Sequence, residues 1–329
     1  MRFGLFIPQG WRLDLVGVEV ADQWRAMLNV AQLAERGPWE SVWVFDHFHT
    51  MPIPTSEATH EAWTLMAALA ATTQRVRLGQ MCTCLGYRNP MYLAKVAATV
   101  DAISGGRTEM GIGAGWYEHE WAAYGYGFPS AGDRIAMLEE GVEIMHQAWQ
   151  QGVAHFAGEH YQVDGALCHP KPIQEGGIPF WIAGGGEKKT LRVAAKRASY
   201  TNFDGDAAVF AHKSEILAEH CKDLGRDFDE IVRSANYNVV IGRTQAEIDD
   251  RLAAIENRYR PFLAPDGLTK AMSNYRNSPM TGTPEQIVER LQAMEELGMT
   301  YAITYFAEAA TDHSGVELFA NEVVPALAR

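Results

Sequence analysis

Cysteine is scarce in this 329-residue chain: the four present are Cys82, Cys84, Cys168 and Cys221. None pairs in a CxxC spacing, so neither a disulfide framework nor a zinc ribbon is available, and a reducing, cytoplasmic compartment is expected. Basic residues are outnumbered, 28 Lys and Arg against 41 Asp and Glu, and the formal charge of −13 repels phosphate backbones. Nucleic acid is therefore excluded as a partner, and any anionic ligand needs a local pocket. Long apolar runs are missing too, with no window of about 18 uninterrupted apolar residues, so no membrane-spanning helix is expected. The opening MRFGLFIPQG lacks the long apolar region and small-residue cleavage site of a signal peptide. No central linker rich in Pro, Gly and Ser and no internal repeat divides the chain, which favours one domain over residues 1–329.

What is present is enough apolar material for a sizeable core: 47% hydrophobic residues with 10% aromatic and 21% charged exclude disordered and collagen-like classes. Short β-branched or aromatic runs alternate with helical periodicity along the whole sequence. The runs are Phe3–Ile7, Ser41–Phe45, Arg77–Thr83, Thr108–Ile112, Pro179–Ala183, Tyr200–Phe203, Arg233–Ile241 and Ala302–Phe306. Helices are expected near Asp22–Arg36, Glu61–Thr72, Tyr92–Ile103, Asp133–Gln151, Glu187–Lys196, Ala207–Leu224, Gln245–Tyr259, Pro284–Leu297 and Val316–Leu327. The helix at Pro284 is the best marked: Thr283 and Gln286 form a capping box, and Ile287, Leu291 and Met294 make an apolar stripe that ends at Gly298. Eight βα units in series predict an α/β fold, a (β/α)8 TIM barrel, over the alternative of two Rossmann-like halves. Insertions are expected near residues 152–178, with a hairpin-like HFAGEHYQV, and near residues 261–282, which read as turn-rich.

Barrel chemistry sits at the carboxyl ends of strands. There the sequence offers Asp46-His47-Phe48-His49, Met81-Cys82-Thr83-Cys84, Gly113-Ala114-Gly115-Trp116 and Gly184-Gly185-Gly186-Glu187-Lys188-Lys189. His47 and His49 in an HxH spacing suit a metal-dependent hydrolase, but the later strand ends lack its further ligands. No metal is expected. The glycines at residues 113 and 115 permit close backbone approach to a planar ligand, and Trp116 could wall the pocket. Gly184, Gly185 and Gly186 free backbone N–H groups where a helix begins, and Lys188, Lys189 and Arg192 add charge for a phosphate. Glu118, His119 and Glu120 are candidates for acid–base work.

Together VWVFDHF (residues 42–48), the stretch from Leu78 to Pro90, AATVDAISGGRTEMGIGAGWYEHEWAAYG (residues 97–125) and WIAGGGEKKTLRVAAKRA (residues 181–198) resemble the bacterial luciferase-like oxidoreductases, in the branch that uses the deazaflavin coenzyme F420. The resemblance covers essentially the whole length. It implies a barrel in which Asp46 and His47 contact the cofactor ring and a non-proline cis peptide at Met81–Cys82 props it. Gly113, Ala114, Gly115 and Trp116 would line it, and Gly184, Gly185 and Gly186 would cradle its phosphate, with Lys188 near. His47 and Glu120 would do proton work. The implied activity is hydride transfer between coenzyme F420 and a small organic substrate; the alternative is an FMN-dependent two-component monooxygenase using dioxygen and a separate flavin reductase. A homodimer is also implied. A non-enzymatic binding protein is the remaining class.

Overall fold

The strands of the computed structural model, which describes residues 1–327, fall where the apolar runs do. They are β1 (Arg2–Phe6), β2 (Ser41–Val44), β3 (Arg77–Gln80), β4 (Thr83–Cys84), β5 (Thr108–Gly113), β6 (Val153–Ala157), β7 (Gln162–Leu167), β8 (Phe180–Ala183), β9 (Tyr200–Asn202), β10 (Val232–Ile241), β11 (Thr281–Gly282) and β12 (Met299–Phe306). All eight expected strands are present, the third split into β3 and β4 around Met81–Cys82. Apart from the antiparallel β6–β7 hairpin, the pairings β1–β12, β1–β2, β10–β11, β10–β12, β3–β5, β4–β5, β5–β8 and β8–β9 are parallel and helices intervene, which is the (β/α)8 barrel class. Residues group into two compact units.

One unit comprises Met1–Glu61, Asp204–Ala211 and the chain from Arg233 onward. Its strands run in the order β11, β10, β12, β1, β2, with Leu5 registered against both Thr304 and Val42. Small residues let large ones fit here: a Cβ on Gly4 would stand 2.4 Å from the indole nitrogen of Trp43. That nitrogen donates to Ser41 Oγ at 2.5 Å, and Ser41 in turn meets the Tyr301 hydroxyl at 2.6 Å. The other face of the strands buries Phe3, Trp39 and Phe306 around Phe319, with ring centroids 5.5–5.7 Å apart.

The helix Pro284–Glu296 carries the anticipated capping box, Thr283 accepting from Gln286 N while Gln286 Oε1 accepts from Thr283 N. Thr283→Ala should lower stability by about 1 kcal/mol, read as an earlier urea midpoint at unchanged slope. The segment Pro261–Gly282 departs from expectation. It holds a 12-residue helix, Pro265–Arg276, because Pro265 sits in the first turn, where its missing N–H is harmless, and Leu268, Ala271, Met272 and Tyr275 bury one face.

The other unit comprises Ala62–Phe203 and His212–Val232. Its strands run β3, β5, β8, β9, with β4 also on β5. Two charges from this region, Asp101 and the half-buried Arg107, brace it. The Arg107 guanidinium donates to the carbonyls of Ala70, Thr73, Val76 and Ser104 and to Thr73 Oγ1. The Asp101 carboxylate, fully buried, accepts from the N–H groups of Thr108, Ile173 and Gln174 and from the Gln174 side chain. The residue 152–178 insertion is the expected hairpin, and Glu140 accepts the three N–H groups of its tip, Glu159, His160 and Tyr161, at 2.8–3.0 Å. The helix expected from Glu187 begins at Thr190 instead, since the glycine loop continues as a turn through Lys188 and Lys189. Among the described residues no helix is long and apolar enough to cross a membrane.

Candidate active site

In the first unit the loop after β1 is folded by its own buried carboxylate. Asp14 accepts from Gly10 N at 2.6 Å and from the Tyr305 hydroxyl at 2.7 Å. Gly10 has φ of 98°, and a Cβ there would stand 1.9 Å from the Ala58 carbonyl oxygen, so only glycine fits. Burial pushes the Asp14 carboxyl up, against the downward pull of the Tyr305 hydroxyl and the Arg258 charge. Gln9, fully buried, fixes the end of β2 to this loop: its side-chain oxygen accepts from Phe45 N, and its nitrogen donates to the carbonyls of Phe45 and His60, at 2.6–2.7 Å.

These clamps set the two residues that follow Phe45. Asp46 is buried. The His47 imidazole lies parallel to Trp11, centroids 4.2 Å apart and planes 1° apart, while Trp11 also packs on Phe45 at 4.3 Å. The Arg12 guanidinium lies 5.1, 5.1 and 4.6 Å from the ring centroids of Trp11, Phe45 and Tyr305. It also donates to Asn238 Oδ1. Gln9, Arg12 and Asp14 carry no local motif; their roles come from partners far along the chain.

In the second unit the Met81–Cys82 peptide is cis, as the resemblance implies. Met81 is buried and Cys82 half-buried. The absence of a side chain on Gly113 leaves room beside Cys82, since a Cβ would come within 2.8 Å of its Sγ. Gly115 has φ of 79° and likewise makes room for Cys84 and Trp121. Ala114 is half-buried, and Trp116 is exposed and stacked on Tyr117 at 5.2 Å. Of the three acid–base candidates, Glu118 and His119 are exposed, whereas Glu120 is fully buried and accepts the Tyr87 hydroxyl at 2.9 Å. Gly86 packs flat on the neighbouring Trp121, where a Cβ would collide with the indole.

The glycine loop lies in the same unit. Gly184, with φ of 112°, donates its N–H to the Asn202 carbonyl. Gly186 packs on Thr190, and a Cβ on Gly185 would touch the Lys213 stem at 3.3 Å. Lys188 is exposed, so the cation set against the loop is Lys213, which pairs with Glu187 at 2.5 Å. His212 also contacts Glu187, and these partners, Lys213 first, hold the Glu187 carboxyl below its usual range. Among the described residues no three His, Cys, Asp or Glu side chains are grouped to hold a metal ion.

A parallel barrel with a histidine, a buried carboxylate and a bare glycine loop at its strand ends has the layout of an enzyme. The luciferase-like monooxygenase model matches residues 1–301, and the chain belongs to that family of oxidoreductases. The F420-dependent glucose-6-phosphate dehydrogenase of Nocardia farcinica is 27% identical to it, over 92% of this chain and 94% of that protein. The enzyme of the same name from Mycolicibacterium fortuitum is 28% identical, with the same coverage. Among solved structures, an F420-dependent secondary alcohol dehydrogenase in complex with an F420-acetone adduct superposes with a TM-score of 0.82 at 20% identity, covering 100% of this chain and 99% of that one. That last likeness is one of fold.

Proposed function

We propose that this chain is an F420-dependent oxidoreductase that transfers a hydride between the deazaflavin and a small organic substrate. The observation that carries the reading is its near-full-length similarity to enzymes named for that cofactor. The residues present fit the group. The bare backbone at Gly113 beside Cys82 suits a flat ring, and the loop Gly184–Gly186 with Lys213 against it suits a phosphate. On this reading Asp46, His47, Met81, Cys82, Gly113, Ala114, Gly115 and Trp116 hold the ring, and Gly184, Gly185 and Gly186 hold the phosphate, with Lys213 against the loop and the exposed Lys188 at its rim.

When bound, the reduced deazaflavin supplies a hydride from its ring carbon C5 and is inert to dioxygen. The protein's own part is positioning and proton management. Trp11 fixes the plane of the His47 imidazole, so a ring nitrogen can take the hydroxyl proton of an alcohol as its carbon gives up hydride, or return it in the reverse direction. Glu120, shielded from water and held by Tyr87, is the second proton-handling group.

Titration of the purified protein with F420 and, separately, with FMN tests the reading through fluorescence quenching. Micromolar binding of F420 with weaker binding of FMN is the expected result. Tighter FMN binding would move the assignment to an oxygenase, and binding of neither would overturn it.

A further inference from the structure

Among the described residues, Leu13 is the single non-glycine residue with positive φ, at 57°. It closes a tight turn: its N–H donates to the Gly10 carbonyl at 2.9 Å, and Gly10 itself has φ of 98°. A left-handed leucine brings its Cβ too close to the following carbonyl oxygen, so the conformation persists only where the surroundings over-determine it. Burial of the Leu13 side chain gives it a place in the core but does not dictate its φ. Between these two left-handed residues stands Trp11, on which His47 is stacked.

The bonds that hold the turn come from the residue after Leu13. Asp14 reaches back with one carboxylate oxygen to the Gly10 N–H at 2.6 Å, and with the other it accepts the Tyr305 hydroxyl at 2.7 Å. Asp14 is 2% exposed and Tyr305 1%, so water does not compete for either bond. Tyr305 lies on β12, which is paired on both sides, with β10 and with β1, so the turn is pinned to an interior strand. The charges of Arg258 and Arg12 offset the buried carboxylate, and the Tyr259 hydroxyl donates to the Arg12 carbonyl at 3.2 Å.

Trp11 is thereby fixed from several directions. The N–H of the residue before it is held by Asp14, its own carbonyl accepts from the Met51 N–H at 2.6 Å, and its ring packs on Phe45 and His47. Both oxygens of Asp14 are engaged, one by the turn and one by β12, so the carboxylate reaches His47 through Trp11.

We propose that Asp14 and Tyr305 are positioning residues for the proton-handling step: they hold a strained turn that sets Trp11 against the His47 imidazole, and they act on the reaction through that stack. The inference rests on the oxidoreductase reading above.

Tyr305→Phe is the main variant, because it removes one hydroxyl, keeps the ring under Arg12 and leaves an Asp14 oxygen without its donor in a buried place. Tyr301→Phe is the matched control: it lies on the same strand, is equally buried, and its hydroxyl meets Ser41 in place of the turn. The readouts are amide hydrogen exchange of the protein by mass spectrometry, and reduction of F420 by the loaded protein with glucose 6-phosphate and 2-propanol as probes. In Tyr305→Phe, residues 9–14 should exchange about tenfold faster. The Met51 amide should quicken with them, since its acceptor is the Trp11 carbonyl. Tyr301→Phe should leave both segments as in the parent. In Tyr305→Phe kcat should fall about 10- to 100-fold, as misplacement of a reacting group does, with KM and F420 affinity changed less than about threefold. Asp14→Asn, which keeps an acceptor for Gly10 and a polar partner for Tyr305, should recover most of what Asp14→Ala loses. Unchanged exchange in Tyr305→Phe, equal changes in Tyr301→Phe, or faster exchange with full kcat would each overturn the proposal while leaving the F420 reading intact. Where the parent turns over neither probe, exchange alone decides. Failure of the parent to bind F420 would instead remove the reading on which the proposal rests.

Discussion

Replacing His47 with asparagine should lower kcat by about 10²–10⁴-fold, the usual contribution of a positioned general acid–base, while F420 still binds. Asparagine is polar and close to imidazole in reach, so the loop that Gln9 and Asp14 shape keeps its fold, yet the amide cannot carry a proton at working pH. The loss should fall on kcat and kcat/KM together, because the proton moves only in the chemical step. Steady-state kinetics alongside a cofactor titration separates this from a binding defect. An unchanged kcat would hand the proton to Glu120, and a lost cofactor affinity would make His47 a ring contact alone.

Asp101→Ala should destabilise the protein by about 3–5 kcal/mol, the range for removing one member of a buried charged network. Its carboxylate is fully buried and is the shared acceptor for three backbone N–H groups and the Gln174 amide. Truncation leaves those donors without it in a place water does not reach. Asp101→Asn, which keeps one acceptor oxygen, should lose less. Urea unfolding measures the difference, and kcat of the folded fraction should stay near that of the parent, since Asp101 touches none of the proposed site residues. A midpoint that barely moves would mean that water or the Gln174 amide takes over the bonding.

That second case shows how much a sequence motif can conceal. AATVDAISGGR contributed to the family resemblance, but in the fold Asp101 and Arg107 are braces for backbone carbonyls and amides, remote in role from chemistry. The βα rhythm was legible because each strand is a short apolar run closed by polar or glycine residues, and each helix shows its period or its cap. The helix at Pro265 had the same period, at Leu268, Ala271, Met272 and Tyr275, but its proline and the surrounding Asn and Ser read as turns. His47, Glu120 and the glycine loops stood out through local pattern. Gln9, Arg12, Asp14 and Lys213 did not, because what defines them is a partner remote in sequence: Asp14 meets Tyr305 across 291 residues, and Gln9 meets Phe45 across 36. No window-based reading reaches so far.

The parallel stack of His47 on Trp11 also has a magnetic consequence. With the indole 4.2 Å below and its plane within 1° of the imidazole, the His47 ring protons lie in the shielding region of the indole current. Their proton resonances should therefore lie upfield of those of the chain's other histidines, which a proton NMR spectrum checks. A ligand entering beside Trp11 would shift that pair of lines first, so the fold carries its own label at the point where substrate and proton are expected to meet.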